Sequence, residues 1–141
     1  MVSVELITRE SDGPDVVVLR GELDVVEAAS VARSLAVVAA SGRHVIVDLE
    51  GLEFIDSSGL AALVLARQQV RRAGSDLLLA APQQQMLRML AITRLIDVFA
   101  VHACVDDAAG FAGRLPVAMT SAPQMIGAGE HAESCLSSLI G

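Results

Sequence analysis

Four consecutive residues, Asp56-Ser57-Ser58-Gly59, bring an acid, two hydroxyls and a glycine to the point where an apolar run gives way to a helical period. Asp or Ser at a helix start accepts hydrogen bonds from N–H groups that the first turn leaves without partners, and Gly lets the chain turn tightly. On those grounds alone the segment is a good helix cap. The same position suits a second chemistry. A phosphoryl group on a serine there would meet unpaired N–H donors and the positive end of the helix dipole, so the fold would survive it. A partner docked over the loop would instead meet about two new negative charges. The residues themselves leave both readings open.

The other reactive side chains form no comparable constellation. His44, His102 and His131 are scattered, with no pair at helical spacing, so no metal or cofactor is expected. Ser57 as an enzyme nucleophile would need a base within reach. His44 follows Arg43 and His102 precedes Ala103, so neither has an evident orienting partner, and the chain is expected not to be an enzyme. Cys104 and Cys135 lie far apart in no metal-ligand or redox spacing and read as reduced thiols. Arg67, Arg71 and Arg72 gather on one helical stretch, either as a solvated face or as a contact for an acidic partner. Met86 and Met89 read as core and near-core filler.

These residues need a scaffold, and the hydrophobic pattern supplies one. Val2 to Thr8 alternates as a half-buried strand, and Val16 to Leu19, bounded by Gly21, is a second; the turn cluster Ser11 to Asp15 joins them as an edge hairpin. Ala28, Val31, Ala32, Leu35, Val38 and Ala39 recur at helical spacing up to Ser41-Gly42. Val45-Ile46-Val47 fits a central buried strand, the stretch 50–53 a loop, and Leu60, Leu63, Val64 and Val70 a helix that begins at the serines. Leu77 to Leu79 is another buried strand and 83–92 another helix. Val98 to Val101 can be a last strand, and Asp106-Asp107 opens a final helix that Pro116 stops. Strands alternating with helices predict an α/β domain: a small, mixed, mostly parallel sheet with about four helices covering one face. One domain is expected over 1–115, followed by a flexible tail over 116–141 with few charges and many small residues.

Composition narrows the function classes. The chain has 141 residues, enough for one core, and is 53% hydrophobic but only 2% aromatic. A formal net charge of −7 and a pI near 4.8 disfavour nucleic acid as a partner. Unbroken apolar runs such as Leu60 to Ala66 are about a third of the ~20 residues that span a bilayer, so no membrane segment is expected. The first residues, MVSVELITRESDG, lack the pattern of a secretion signal, and a cytoplasmic location is expected.

Two motifs in order carry a family resemblance. Gly21-Glu22-Leu23-Asp24 after an early strand, then Val45-Ile46-Val47-Asp48-Leu49 and Phe54-Ile55-Asp56-Ser57-Ser58-Gly59-Leu60, resemble the STAS domain of anti-sigma factor antagonists over residues 2 to about 115. The resemblance implies a STAS-like fold and a phosphorylation-switched binding module. In that family the unphosphorylated form binds an anti-sigma factor, often also a serine kinase that binds the ATP, and releases a sigma factor for transcription. It implies Ser57 as phosphoacceptor, a phosphatase, and a partner-binding surface of Asp24, Asp56, Ser57, Ser58 and Gly59, with Ser58 helping to cap the helix and Asp56 orienting the loop. Two positions depart from the pattern: Ala61, often Gly in the family, and Thr93-Arg94, where many relatives carry a Gly-containing turn.

A different binding role on the same fold is the alternative: an accessory domain docking to a transporter ATPase or a signalling scaffold, with the serine unmodified. An aspartyl-phosphate receiver is disfavoured, because it needs a pair of acids after the first strand and a late Lys, and the chain has no Lys.

Overall fold

Runs of aliphatic residues build the sheet. The computed structural model describes residues 2–8 and 13–115. The strands are β1 (Val2–Thr8), β2 (Asp15–Leu23), β3 (Val45–Asp48), β4 (Leu52–Ile55), β5 (Leu77–Ala80) and β6 (Ala100–His102). The helices are α1 (Val25–Ala39), α2 (Ser57–Arg72), α3 (Gln84–Ile92) and α4 (Val105–Ala112), with a 3-10 turn at Leu95–Asp97. The sheet runs β1-β2-β3-β5-β6, with β4 joined to β2 beyond β3. Among the described residues only the β1–β2 pair is antiparallel; the other pairings are parallel. All parallel strands therefore end at one edge of the sheet, and loops at such an edge are where α/β folds place their sites.

The expected mixed, mostly parallel sheet and four helices are present, but the helices do not share one face. Val17, Leu19, Val45, Val47, Leu77 and Leu79 turn toward α1, α2 and α3 and form the larger core with Val31, Leu35, Leu63 and Leu90. The alternate residues Val16, Val18, Ile46, Leu78 and Ala80 turn the other way and pack on Ala108 and Ala112 of α4. Strands buried on both faces have no polar alternation, so the pattern of β3 and β5 required a second layer that the helix periods alone could not assign.

Two local features depart from expectation. Gly21 does not end β2: at φ +94 it forms an irregularity after which the strand continues to Leu23, and β4 pairs with that extension. β4 itself stands where a loop was expected. The Asp48 carboxylate accepts the Glu50 N–H and turns the chain, so that Leu52–Ile55 comes alongside β2. Arg94, at the position where the family resemblance implies a Gly-containing turn, adopts φ +64.

Far from that edge, buried His44 ties three segments together. Its Nδ1 accepts the Asp76 N–H at 3.0 Å and its Nε2 lies 3.4 Å from the Leu115 carbonyl, which fixes a neutral ring with the proton on Nε2. Burial lowers its pKa below the ordinary imidazole value, partly opposed by the Leu115 carbonyl and the nearby Asp76 charge. The unfolded chain thus takes up this proton more readily than the folded one. Stability is full above about pH 6.5 and falls as pH drops through the interval down to the folded pKa. Urea midpoints measured at pH 7.5 and 5.5 are expected to be lower at pH 5.5, and His44→Gln to shrink that difference. An undiminished difference in the variant would contradict the assignment.

Cys104 is disulfide-bonded, which corrects the expectation that it is a reduced thiol. The expected turn at 9–12 and the tail at 116–141, including His131 and Cys135, lie outside the described residues.

Candidate functional site

The paired ends of β2 and β4 assemble the site. Leu23 and Ile55 are register partners, so the next residues, Asp24 and Asp56, emerge side by side, and the Asp56 N–H bonds the Leu23 carbonyl at 3.2 Å. Each aspartate caps the helix that follows it. Asp24 Oδ1 accepts the N–H groups of Val26 and Glu27 at 3.1 and 3.2 Å, and Asp56 Oδ1 accepts that of Gly59 at 3.0 Å. Two helix N-termini, those of α1 and α2, thus open at the same edge, both carrying the positive end of a helix dipole.

Ser57 is the first residue of α2 and is exposed; Ser58 is half-buried and Gly59 is buried. The cap is Asp56 and not Ser58, because only the residue before the first turn has its side chain placed to reach the N–H three residues on. Ser57 and Ser58 occupy the first turn, where backbone N–H groups have no carbonyl four residues back within the helix. An oxyanion on the Ser57 hydroxyl would sit next to those donors.

Gly59 is not a turn glycine: it has no positive φ and lies within α2. It is there because nothing larger fits. A Cβ at this position would come within 2.7 Å of the Ile55 side chain, 2.8 Å of the Leu23 side chain and 3.0 Å of the Leu23 carbonyl. The start of α2 therefore rests directly on the ends of β2 and β4.

The histidines lie elsewhere. His44 precedes β3 at the opposite edge, and His102 faces α4, with Nδ1 2.9 Å from Asp107 Oδ2 and its ring 5.0 Å from that of Phe111. His102 thus has an orienting acid after all; the first turn of α4 folds Asp107 back onto the strand end. The pair sits on the far face of the sheet from α2. Arg67 and Arg71 lie 3.9 and 3.5 Å from the Asp76 carboxylate, which leaves Arg72 as the exposed arginine of that cluster without an ion pair among the described residues.

Sequence reasoning missed what accompanies the serine. Val25 and Val26, in the first turn of α1, are 66% and 80% exposed, and Phe54 on β4 is 43% exposed, all at the edge that carries Ser57. Exposed apolar side chains gathered at one edge are the kind of surface that a partner can cover. Their signal was present, since two valines directly after a capping Asp begin a helix before its apolar stripe. Gln85, whose Nε2 donates to the Ile55 carbonyl at 3.1 Å, fixes α3 against the site.

Both caps carry a stability prediction. Asp24→Ala and Asp56→Ala are each expected to cost about 1 kcal/mol, read as a lower urea midpoint, with Asn at either position recovering most of it. A variant as stable as the parent would show that the cap bond contributes nothing.

Known proteins are similar to this chain in sequence and in fold. The STAS domain family model matches residues 5–108. An anti-sigma-B factor antagonist of Listeria monocytogenes is 31% identical over 101 residues, covering 71% of this chain and 88% of the relative. The crystal structure of an anti-sigma factor antagonist from Mycobacterium paratuberculosis superposes with a TM-score of 0.72 at 24% identity, covering 80% of this chain and 95% of that one. SpoIIAA of Bacillus, solved in its phosphorylated form, gives a TM-score of 0.60 at 20% identity over 75% of this chain and 96% of the other. A family match over most of the chain, with the aspartate-capped serine helix beside the end of β2, places this protein in the STAS domain family.

Proposed function

We propose that this chain is an anti-sigma factor antagonist whose binding is switched at Ser57. The unphosphorylated form binds an anti-sigma factor in the cytoplasm and so frees a sigma factor for transcription. The anti-sigma factor is itself the serine kinase and brings the ATP, and a phosphatase restores the binding form. The docking surface comprises Asp24, Asp56, Ser57 and Ser58, while Gly59, expected from the sequence to belong to it, is buried and sets the position of α2 beneath it. The observation that carries this reading is an exposed hydroxyl on the first residue of α2, where a phosphate can be accommodated, among the exposed apolar side chains Val25, Val26 and Phe54. The likeness to proteins named anti-sigma-B factor antagonists and to SpoIIAA in a phosphorylated form supports it.

Charge is what the partner senses. The α2 N-terminus offers N–H donors to a phosphate, but a docked apolar surface offers none, so phosphorylation would strand about two charges in the interface. Incubation with ATP and candidate anti-sigma kinases is expected to raise the intact mass by one phosphate, and Ser57→Ala to abolish the increase. Phosphate incorporated equally by the Ser57→Ala chain would place the switch elsewhere.

A further inference from the structure

We infer that the anti-sigma factor holds this chain by a second element: an amphipathic helix with an apolar face and acidic flanks, seated in the groove between α2 and the α3–3-10 connection. This rests on the antagonist reading above and adds a place and a chemistry for the partner's main contact.

The groove, of about 440 Å³, begins at Ser57 and runs along α2 past Ala61, Val64, Leu65 and Gln68, with Leu95 on its opposite wall. Residues 57, 61, 64, 65 and 68 lie on one helical stripe, so the surface is continuous with the switch serine. Leu65 is 46% exposed although it sits mid-helix, and Ile92 beside the other wall is 81% exposed. An apolar trough of this kind takes the apolar anchors of a partner helix.

Charge selects the partner's flanks. Between residues 56 and 97 the chain carries five arginines, Arg67, Arg71, Arg72, Arg88 and Arg94, against three acids, Asp56, Asp76 and Asp97, although its formal net charge is −7. Asp76 lies with Arg67 and Arg71. Arg72 extends the groove stripe by one turn beyond Gln68, and Arg94 stands between the lining residues Thr93 and Leu95; both are exposed and form no ion pair among the described residues. The groove is therefore an apolar trough with cations at its rim on an otherwise acidic molecule, which favours carboxylates beside the apolar anchors of the occupant.

The test titrates the full chain with the purified anti-sigma kinase that phosphorylates Ser57. Leu65→Asp is expected to weaken binding at least about tenfold. The double variant Arg72→Glu, Arg94→Glu is expected to weaken it several-fold and to flatten its dependence on salt. All these positions are on the surface, and an unchanged melting temperature identifies a folded variant; should Leu65→Asp melt early, Leu65→Gln takes its place. Binding within twofold of the parent for both variants, while Ser57→Asp abolishes it, would overturn the groove and leave the switch intact. Weakened binding in the groove variants with no effect of Ser57→Asp would uphold the groove and remove the switch. A parent that dimerises through Leu65, with partner affinity unchanged in the variant, would assign the groove to a second copy of this chain and overturn the inference.

Discussion

Ser57→Asp is expected to lower affinity for the anti-sigma factor by at least about a hundredfold, a difference of about 2.7 kcal/mol. The fold has little reason to object. Ser57 is exposed and is not the cap, and an acid in the first turn of a helix gains roughly 0.3–1 kcal/mol from the dipole, offset in part by the neighbouring Asp24 and Asp56 carboxylates. The interface has every reason to object. A carboxylate pressed under an apolar partner surface loses its water, and an uncompensated buried charge costs several kcal/mol. Ser57→Ala is expected to bind within a few-fold of the parent, because it removes neither the cap bond to Gly59 nor any apolar side chain of the edge. The two variants compared in one titration, with melting temperatures alongside, separate charge from shape. Equal loss in both would make the hydroxyl a contact and not a switch.

Gly59→Val is expected to cost about 3 kcal/mol of stability and to weaken partner binding with it. Its Cβ would enter space held by the Leu23 and Ile55 side chains and by the Leu23 carbonyl. The carbonyl lies in the sheet ladder and cannot rotate away, so α2 must shift. Overpacking alone costs about 1–3 kcal/mol, and a β-branched residue adds crowding against the preceding helical turn. Gly59→Ala meets the same walls but gains about 1 kcal/mol of helix propensity, so its net loss should be visibly smaller. Urea denaturation of the two variants measures the order. A Gly59→Val chain as stable as the parent would mean that α2 does not rest on the strand ends.

Much of this architecture was readable before any coordinates. The unbroken aliphatic runs of β3 and β5 announced strands buried on both sides; β1 takes the edge position expected of it, but it is not the half-buried strand its alternation predicted, since Val4, Leu6 and Ile7 are 38%, 52% and 43% exposed. The segment from Asp56 to Gly59 showed a helix start, because capping chemistry is local. What escaped was non-local. β4 buries only its first and last residues, Leu52 and Ile55, so it shows no period of two, and it exists because β2 continues past Gly21 to receive it. α4 has an ordinary amphipathic pattern that says nothing about which side of the sheet it covers. Gly59 looked like a turn residue because its sequence neighbours are turn formers, whereas its reason is a carbonyl 36 positions earlier in the chain. The pairing of Asp24 with Asp56 required the parallel register of β2 and β4.

The same logic explains why a switch can live here without disturbing the domain. The caps and the close approach at Gly59 fix α2 to the sheet through groups other than the Ser57 hydroxyl. That hydroxyl is left exposed, so under the proposed switch a phosphate there would meet a partner and not the core.

The most direct measurement divides one preparation of the chain in two, phosphorylates one half fully on Ser57, and titrates both against the same anti-sigma factor by calorimetry. The expected result is tight binding by the unmodified half and none by the phosphorylated half, with matching circular dichroism spectra and recovery of binding after phosphatase treatment. Equal affinity in the two halves would contradict the switch at Ser57.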